Sequence, residues 1–326
     1  MMRTALTELL GIEHPIICAP MWPAADGALA RAVSDAGGLG MIGIVGADPV
    51  ERVVREAARA REGSAQRPFG IGLIAWALER RPELLDAAIA EAPALISISF
   101  GDVAPYVRRV KEARITLAVQ VQDREKALAA EAAGADLIVA QGTEAGGHTG
   151  TVGTMPLMQI VLGAVKATTP VAVAGGIATG RGLAAVLAAG GCGAWIGTPF
   201  LLASEAANSA AARAQIAAAD ERSTILTHVF DVATRAAWPD EFRGRALFNP
   251  FAREWDGREP ELAREEGAMR AFAEARKRED YEIAHVYAGQ SVGLLERTRP
   301  AAEIVAQIVA EARAGLMRTG EIVAAI

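Results

Sequence analysis

The chain has 326 residues, 52% of them hydrophobic and 22% charged, with 33 glycines, two cysteines and a formal net charge of −6. That apolar fraction excludes a disordered chain, and two cysteines exclude a disulfide scaffold. The acidic balance argues against a nucleic-acid or anionic-membrane partner, since both need a basic patch.

Residues 1–10 carry Arg3 and Glu8 and no apolar run. No export signal is read there, and with reduced thiols the expected compartment is the cytoplasm. Eight short apolar runs then follow, beginning near Pro15 (PIICAPM), Leu39 (LGMIGI), Phe69 (FGIGLIAW), Ala94 (ALISISF), Ile115 (ITLAVQV), Asp136 (DLIVAQG), Pro170 (PVAVAGG) and Gly193 (GAWIGT). Each is too short for a helix and apolar on successive residues, the pattern of a strand buried on both faces. Between them lie helical patterns such as Pro49–Glu62, Pro82–Glu91 and Asp123–Ala133, the last opened by an acid and closed by Gly134. Strand and helix in alternation predict parallel strands joined by crossovers, and eight units close a barrel, so the expected fold class is α/β, the (β/α)8 or TIM barrel with a C-terminal helical cap. An open doubly wound sheet has the same periodicity. The uncharged stretch Gly182–Ser204 is long enough to cross a bilayer, but Gly190, Gly191, Gly193, Gly197 and Pro199 divide it into a helix end, a strand and a loop.

Glu205–Arg222 reads as the eighth helix, so residues 1–222 are assigned to the barrel. Residues 223–300 hold nine of the 16 aromatic side chains and read as a helical cap over the barrel mouth. Residues 301–326 open with an amphipathic helix, Ala301–Leu316, expected to pack back on the barrel.

In such barrels chemistry sits at the C-terminal ends of the strands. Those ends here are neutral and rich in glycine and amides. Only Asp102, Glu144 and His148 could ligate a metal, and the four lysines, Lys111, Lys126, Lys166 and Lys277, all fall in helical stretches. A metal site, a Schiff-base lysine and a glycosidase carboxylate pair are therefore not expected. Ala174-Gly175-Gly176 and Gly197-Thr198 end the last two runs, where barrels bind phosphate through backbone N–H groups; the plainer reading is a pair of tight turns. The glycine-rich loop from Gln141 to Gly150 contains His148, which reads either as a general base or as an exposed loop histidine. His14, His228 and His285 read as structural. Asp102 is expected to cap the following helix, Glu144 to order its loop, and Cys18 to be a small core residue rather than a nucleophile.

Taken together, His14-Pro15-Ile16-Ile17, Ala19-Pro20-Met21, Ala36-Gly37-Gly38-Leu39-Gly40, Gln141-Gly142 with Glu144-Ala145-Gly146-Gly147-His148, Ala174-Gly175-Gly176-Ile177 and Gly197-Thr198 with Phe200 resemble the nitronate monooxygenases, formerly 2-nitropropane dioxygenases. The likeness runs in order from about His14 to Glu205, with a fainter echo at Ala288-Gly289-Gln290. It implies a flavoprotein barrel with non-covalent FMN that oxidises alkyl nitronates, with neutral nitroalkanes as a further substrate once deprotonated, by dioxygen to carbonyl compounds and nitrite. By position, it implies that Ala19, Pro20, Met21 and Gly72 line the flavin. Gln120, Gln141, Gly146 and Gly147 would contact its ring or ribityl chain. Ala174, Gly175, Gly176, Gly197 and Thr198 would hold the phosphate, Gln290 would approach from the cap, and His148 would be the catalytic residue. Departures from the family pattern at Gly72, Gln120 and Pro199 bear on the substrate more than on the cofactor. The resemblance leaves an FMN-dependent NAD(P)H reductase, enoyl-ACP reductase-like or NADH:quinone reductase-like, as the alternative. An IMP dehydrogenase-like barrel would need a cysteine between Gln141 and Ile160, and there is none. A homodimer is an ordinary expectation for such a chain.

Overall fold

The computed structural model describes residues 2–62 and 67–324. Eight strands form the barrel: β1 (Ile16–Cys18), β2 (Gly40–Gly43), β3 (Phe69–Ile74), β4 (Leu95–Ser99), β5 (Thr116–Val121), β6 (Leu137–Gln141), β8 (Val171–Ala174) and β9 (Gly193–Ile196), while β7 (Gly147–Thr149) lies outside it. All pair in parallel in the order β1-β9-β8-β6-β5-β4-β3-β2. The ring is closed by a parallel bridge from Ile17 to Leu39, with Cys18 N–H donating to the Leu39 carbonyl at 2.9 Å and Leu39 N–H to that of Ile16 at 2.9 Å. The closed (β/α)8 barrel, not the open sheet, is the fold.

Each predicted run becomes a strand within a residue of its expected start, because continuous apolar runs suit a strand covered on both faces. The outer faces, including Ile71, Leu73, Leu117, Val119 and Val121, pack under the helices. Ile17, Leu39, Met41, Leu95, Ala118, Leu137, Val139, Ala172 and Trp195 fill the interior, and Leu6, Leu10 and Ile12 plug its floor. Helix Arg124–Ala133 is capped as its sequence predicts, with the Asp123 carboxylate accepting from Lys126 N–H at 2.8 Å and Gly134 left-handed at φ 99°.

Two expectations change. The helix read over Glu205–Arg222 spans only Ala210–Ala218, because the Ser209 hydroxyl caps it and Glu205 instead accepts from Ala301 N–H, at 3.0 Å, at the head of the last helix. The segment expected to be a helical cap has its helices but also two strands, β10 (Thr224–Thr227) and β11 (Arg243–Leu247). These form an antiparallel sheet in the order β10-β11-β7. The last helix, Ala301–Ala324, lies on helix Gly180–Ala188, so closely that a Cβ on Gly180 would meet the Ile308 carbonyl at 2.3 Å. Among the described residues no helix is long and apolar enough to cross a membrane.

Candidate active site

Side chains alternate along a strand, so the inward face that holds Met41, Ala118, Val139, Ala172 and Trp195 continues at the C-terminal ends to Gly43, Gln120, Gln141, Ala174 and Gly197. The mouth is thus floored by small residues and two amides. Ala19, Pro20 and Met21 fold across it after β1. Pro20 fills the space of the missing Gly72 side chain, where a Cβ would lie 2.4 Å from its ring, so Gly72 serves by admitting Pro20. Met21 lies close to Gly197, 3.3 Å from where a Cβ there would stand. Trp22, by contrast, is exposed and donates from Nε1 to Asp48 Oδ1 at 3.2 Å.

Gln120 makes no side-chain hydrogen bond among the described residues. Gln141 is committed: its Nε2 donates to the His148 carbonyl at 3.0 Å and its Oε1 accepts from Gln122 Nε2 at 2.8 Å. It props the histidine strand from below, and Gln122, which the sequence reading passed over, props Gln141.

After β8, Gly175 and Gly176 take φ of 100° and 70°, a conformation that favours glycine. Among the described residues no protein acceptor takes the N–H of Gly175, Gly176 or Gly197. Successive unpaired N–H groups in a turn of this kind form an anion-binding concavity. The Thr198 hydroxyl accepts from Gly289 N–H at 2.9 Å, leaving its own hydrogen to donate. Gly146 lies against the Ala288–Gly289 backbone, with no room for a Cβ, and Gln290 N–H donates to the Glu144 carbonyl at 2.9 Å while its side chain is exposed. The expected phosphate residues and the fainter Ala288-Gly289-Gln290 motif thus meet at one place. A phosphate tail with a flat ring fits these residues: unpaired amides at one end, a small-residue floor and a free glutamine at the other.

His148 is not on an exposed loop. It stands on β7, opposite Gly244 of β11, and is buried. Its Nε2 lies 2.8 Å from Asp231 Oδ1, and its ring stacks on Trp238 with centroids 3.4 Å apart and planes 7° apart. Trp238 in turn meets Trp76 and Phe100 edge-on at 5.4 and 5.2 Å. Asp231 was missed in the sequence because it lies 83 residues from His148 and no local pattern ties the two together. A carboxylate only accepts, so His148 Nε2 carries the hydrogen and Nδ1 is the basic nitrogen of the neutral ring.

The other expectations are settled locally. Asp102 accepts from Ala104 N–H at 3.0 Å, and Glu144 accepts from Thr154 N–H and Oγ1 at 2.8 and 2.7 Å, so both order backbone. Cys18 and Cys192 are free and buried; burial pushes the Cys18 thiol up and that of Cys192 up to about 12, so neither supplies a thiolate near neutral pH. Among the described residues no group of three or more His, Cys, Asp or Glu is placed to hold a metal.

The fold and site define a closed (β/α)8 barrel whose last two strands end on unpaired backbone amides, with a carboxylate-held imidazole on the segment after β6. The model of the nitronate monooxygenase family matches residues 3–89 and 81–311. The nitronate monooxygenase of Pseudomonas aeruginosa is 32% identical, across 96% of this chain and all of its own. Among solved structures, FabK from Thermotoga maritima is 33% identical with a TM-score of 0.86, covering 99% of this chain and 100% of its own. A nitroalkane oxidase from Streptomyces ansochromogenes is 29% identical with a TM-score of 0.79, covering 97% and 99%. The chain belongs to the nitronate monooxygenase family and is a flavin-dependent oxidoreductase.

Proposed function

We propose that this enzyme binds FMN at the barrel mouth and oxidises alkyl nitronates with dioxygen to carbonyl compounds and nitrite. The observation that carries the reading is the juxtaposition of the unpaired Gly175, Gly176 and Gly197 amides with an imidazole whose tautomer is fixed by Asp231. Gly175, Gly176, Gly197 and Thr198 would hold the phosphate, and Ala19, Pro20, Met21 and Gln120 would border the ring. Bound FMN supplies the electron acceptance that no side chain can provide.

The protein's part is position and proton handling. A nitronate has already lost its α-proton and needs only to be oriented. A neutral nitroalkane must first give that proton to a base, and His148 Nδ1 is the available one. The imidazolium so formed would be held by Asp231 through Nε2–H and by the π face of Trp238. Trp238, itself packed edge-on against Trp76 and Phe100, covers one face of this ring.

The test is anaerobic mixing of the flavin-loaded enzyme with a nitronate and, separately, with NADH. Bleaching by the nitronate alone, followed by nitrite release when oxygen is admitted, is expected. Bleaching by NADH alone would move the enzyme to the NAD(P)H reductases. His148→Ala is expected to lower nitroalkane turnover by about 10²-fold or more while affecting nitronate turnover far less; equal losses would remove the base role.

A further inference from the structure

The carboxylate that holds His148 has a second neighbour. Asp231 is 94% buried and its Oδ2 has no hydrogen-bond partner, yet His228 Nδ1 stands 3.6 Å from it. The other nitrogen of His228, Nε2, lies 3.1 Å from the Asp240 carbonyl. A carbonyl only accepts, so Nε2 bears the hydrogen. A neutral His228 must then aim the lone pair of Nδ1 at a buried carboxylate oxygen. A proton on Nδ1 turns that conflict into an ion pair.

We propose that His228 is the second imidazole on Asp231 and governs His148 through that shared carboxylate. With His228 protonated, Asp231 is shared between two imidazoles and holds the His148 imidazolium less firmly. With His228 neutral, the full carboxylate charge bears on His148. His228 is thus a positioning residue: it touches neither the mouth nor the reacting atoms.

The surroundings suit this role. A cavity of about 440 Å³, lined by His228, Asp231, Arg235, Trp238, Asp240 and Met269, lies on the cap side of the dyad. Together with the 23% exposure of the His228 side chain, it lets that ring exchange its proton with solvent without passing the barrel mouth. Other charged or titratable groups facing this cluster are few. Arg235 is paired with Glu266. Tyr287 and His285, on the segment beyond β11, are held uncharged by burial, with Asp231 raising the Tyr287 phenol further and Arg276 opposing a charge on His285. Arg276 acts on His285 and Tyr287 and Asp240 lines the same cavity, but the group that stands against Asp231 Oδ2 itself is His228, at 3.6 Å.

The inference rests on the proposed base role of His148, and its test separates the two. The acid limb of nitroalkane turnover against pH is recorded for the flavin-loaded enzyme and two variants. His228→Phe leaves Asp231 uncompensated, so the limb is expected to move to higher pH by about one unit. His228→Arg supplies a permanent cation, so the limb is expected to move to lower pH. Opposed shifts support the proposal. A limb that stays in place in both variants, or moves the same way in both, overturns it, whatever His148→Ala shows. Should His228→Phe fail to fold, His228→Gln removes the charge with a polar side chain. In ¹⁵N-histidine spectra of the wild-type holoenzyme, the His148 signals should respond in two steps across the pH range; a single step contradicts the proposal independently of turnover.

Discussion

His285 and His148 both meet the Tyr287 ring, with centroids 4.5 and 5.7 Å from it, and are put to opposite uses. His285 stacks on Phe272 with centroids 5.7 Å apart and meets Tyr287 at 4.5 Å. Burial pushes its pKa down to about 3, so the ring stays neutral in the fold, as a core histidine should. The unfolded chain carries an ordinary histidine, near pH 6.5. Between those values the unfolded state takes up a proton that the folded state refuses, so stability is lost as pH falls from about 6.5 toward 3. His285→Phe is expected to reduce that loss, read as a smaller drop in urea midpoint between about pH 7 and pH 5; an unchanged drop would show that His285 is not held neutral. Asp231→Asn is expected to cost about 10²-fold in nitroalkane turnover, because an amide can donate to Nε2 and stabilise the wrong tautomer. Normal turnover would mean that another group orients the ring. Neither pairing could be read from the sequence. His148 stood out by its glycine-rich loop, but Asp231, Trp238 and Gln122 are ordinary residues until the chain folds.

At the scale of elements, strand positions were legible and the cap's sheet was not. PIICAPM or ITLAVQV can hardly be anything but buried strands, whereas Thr-Ile-Leu-Thr and Arg-Gly-Arg-Ala-Leu are short and mixed. Their pairing is decided by β7, a three-residue strand inside what reads as a flexible glycine loop. Its consequence is functional: the histidine is carried on a sheet anchored in the cap, with Arg245 Nε donating to the Thr143 carbonyl at 2.8 Å to fasten the loop. Burial lowers the pKa of that guanidinium, which still has the nearby Glu144 charge in its favour. On the barrel side, β3 and the loop after β1 are matched by absence of a side chain. Gly72→Ala would force Pro20 outward and is expected to destabilise the enzyme by about 1–3 kcal/mol, seen as a lower thermal midpoint. A variant as stable as the wild type would mean the loop does not sit on β3 as described.

For the whole molecule, the barrel supplies the unpaired amides, the floor and, on the segment after β6, the imidazole, and the cap supplies that imidazole's partners Asp231 and Trp238. The two halves are stitched where Gly289 N–H meets the Thr198 hydroxyl and Gln290 N–H meets the Glu144 carbonyl. The Gly-Gly turn after β8 and the Gly-Thr turn after β9 stood out because position on the barrel gives them meaning. The stitching was not, since it joins residues about 90 and 146 positions apart through backbone groups common to every residue. The most direct measurement is a titration of flavin-free enzyme with FMN and with riboflavin, which lacks the phosphate, on the wild type and Thr198→Val. FMN is expected to bind one per chain and far more tightly than riboflavin, with the gap narrowed in Thr198→Val. Equal affinity for the two flavins, or no binding of either, would contradict the account.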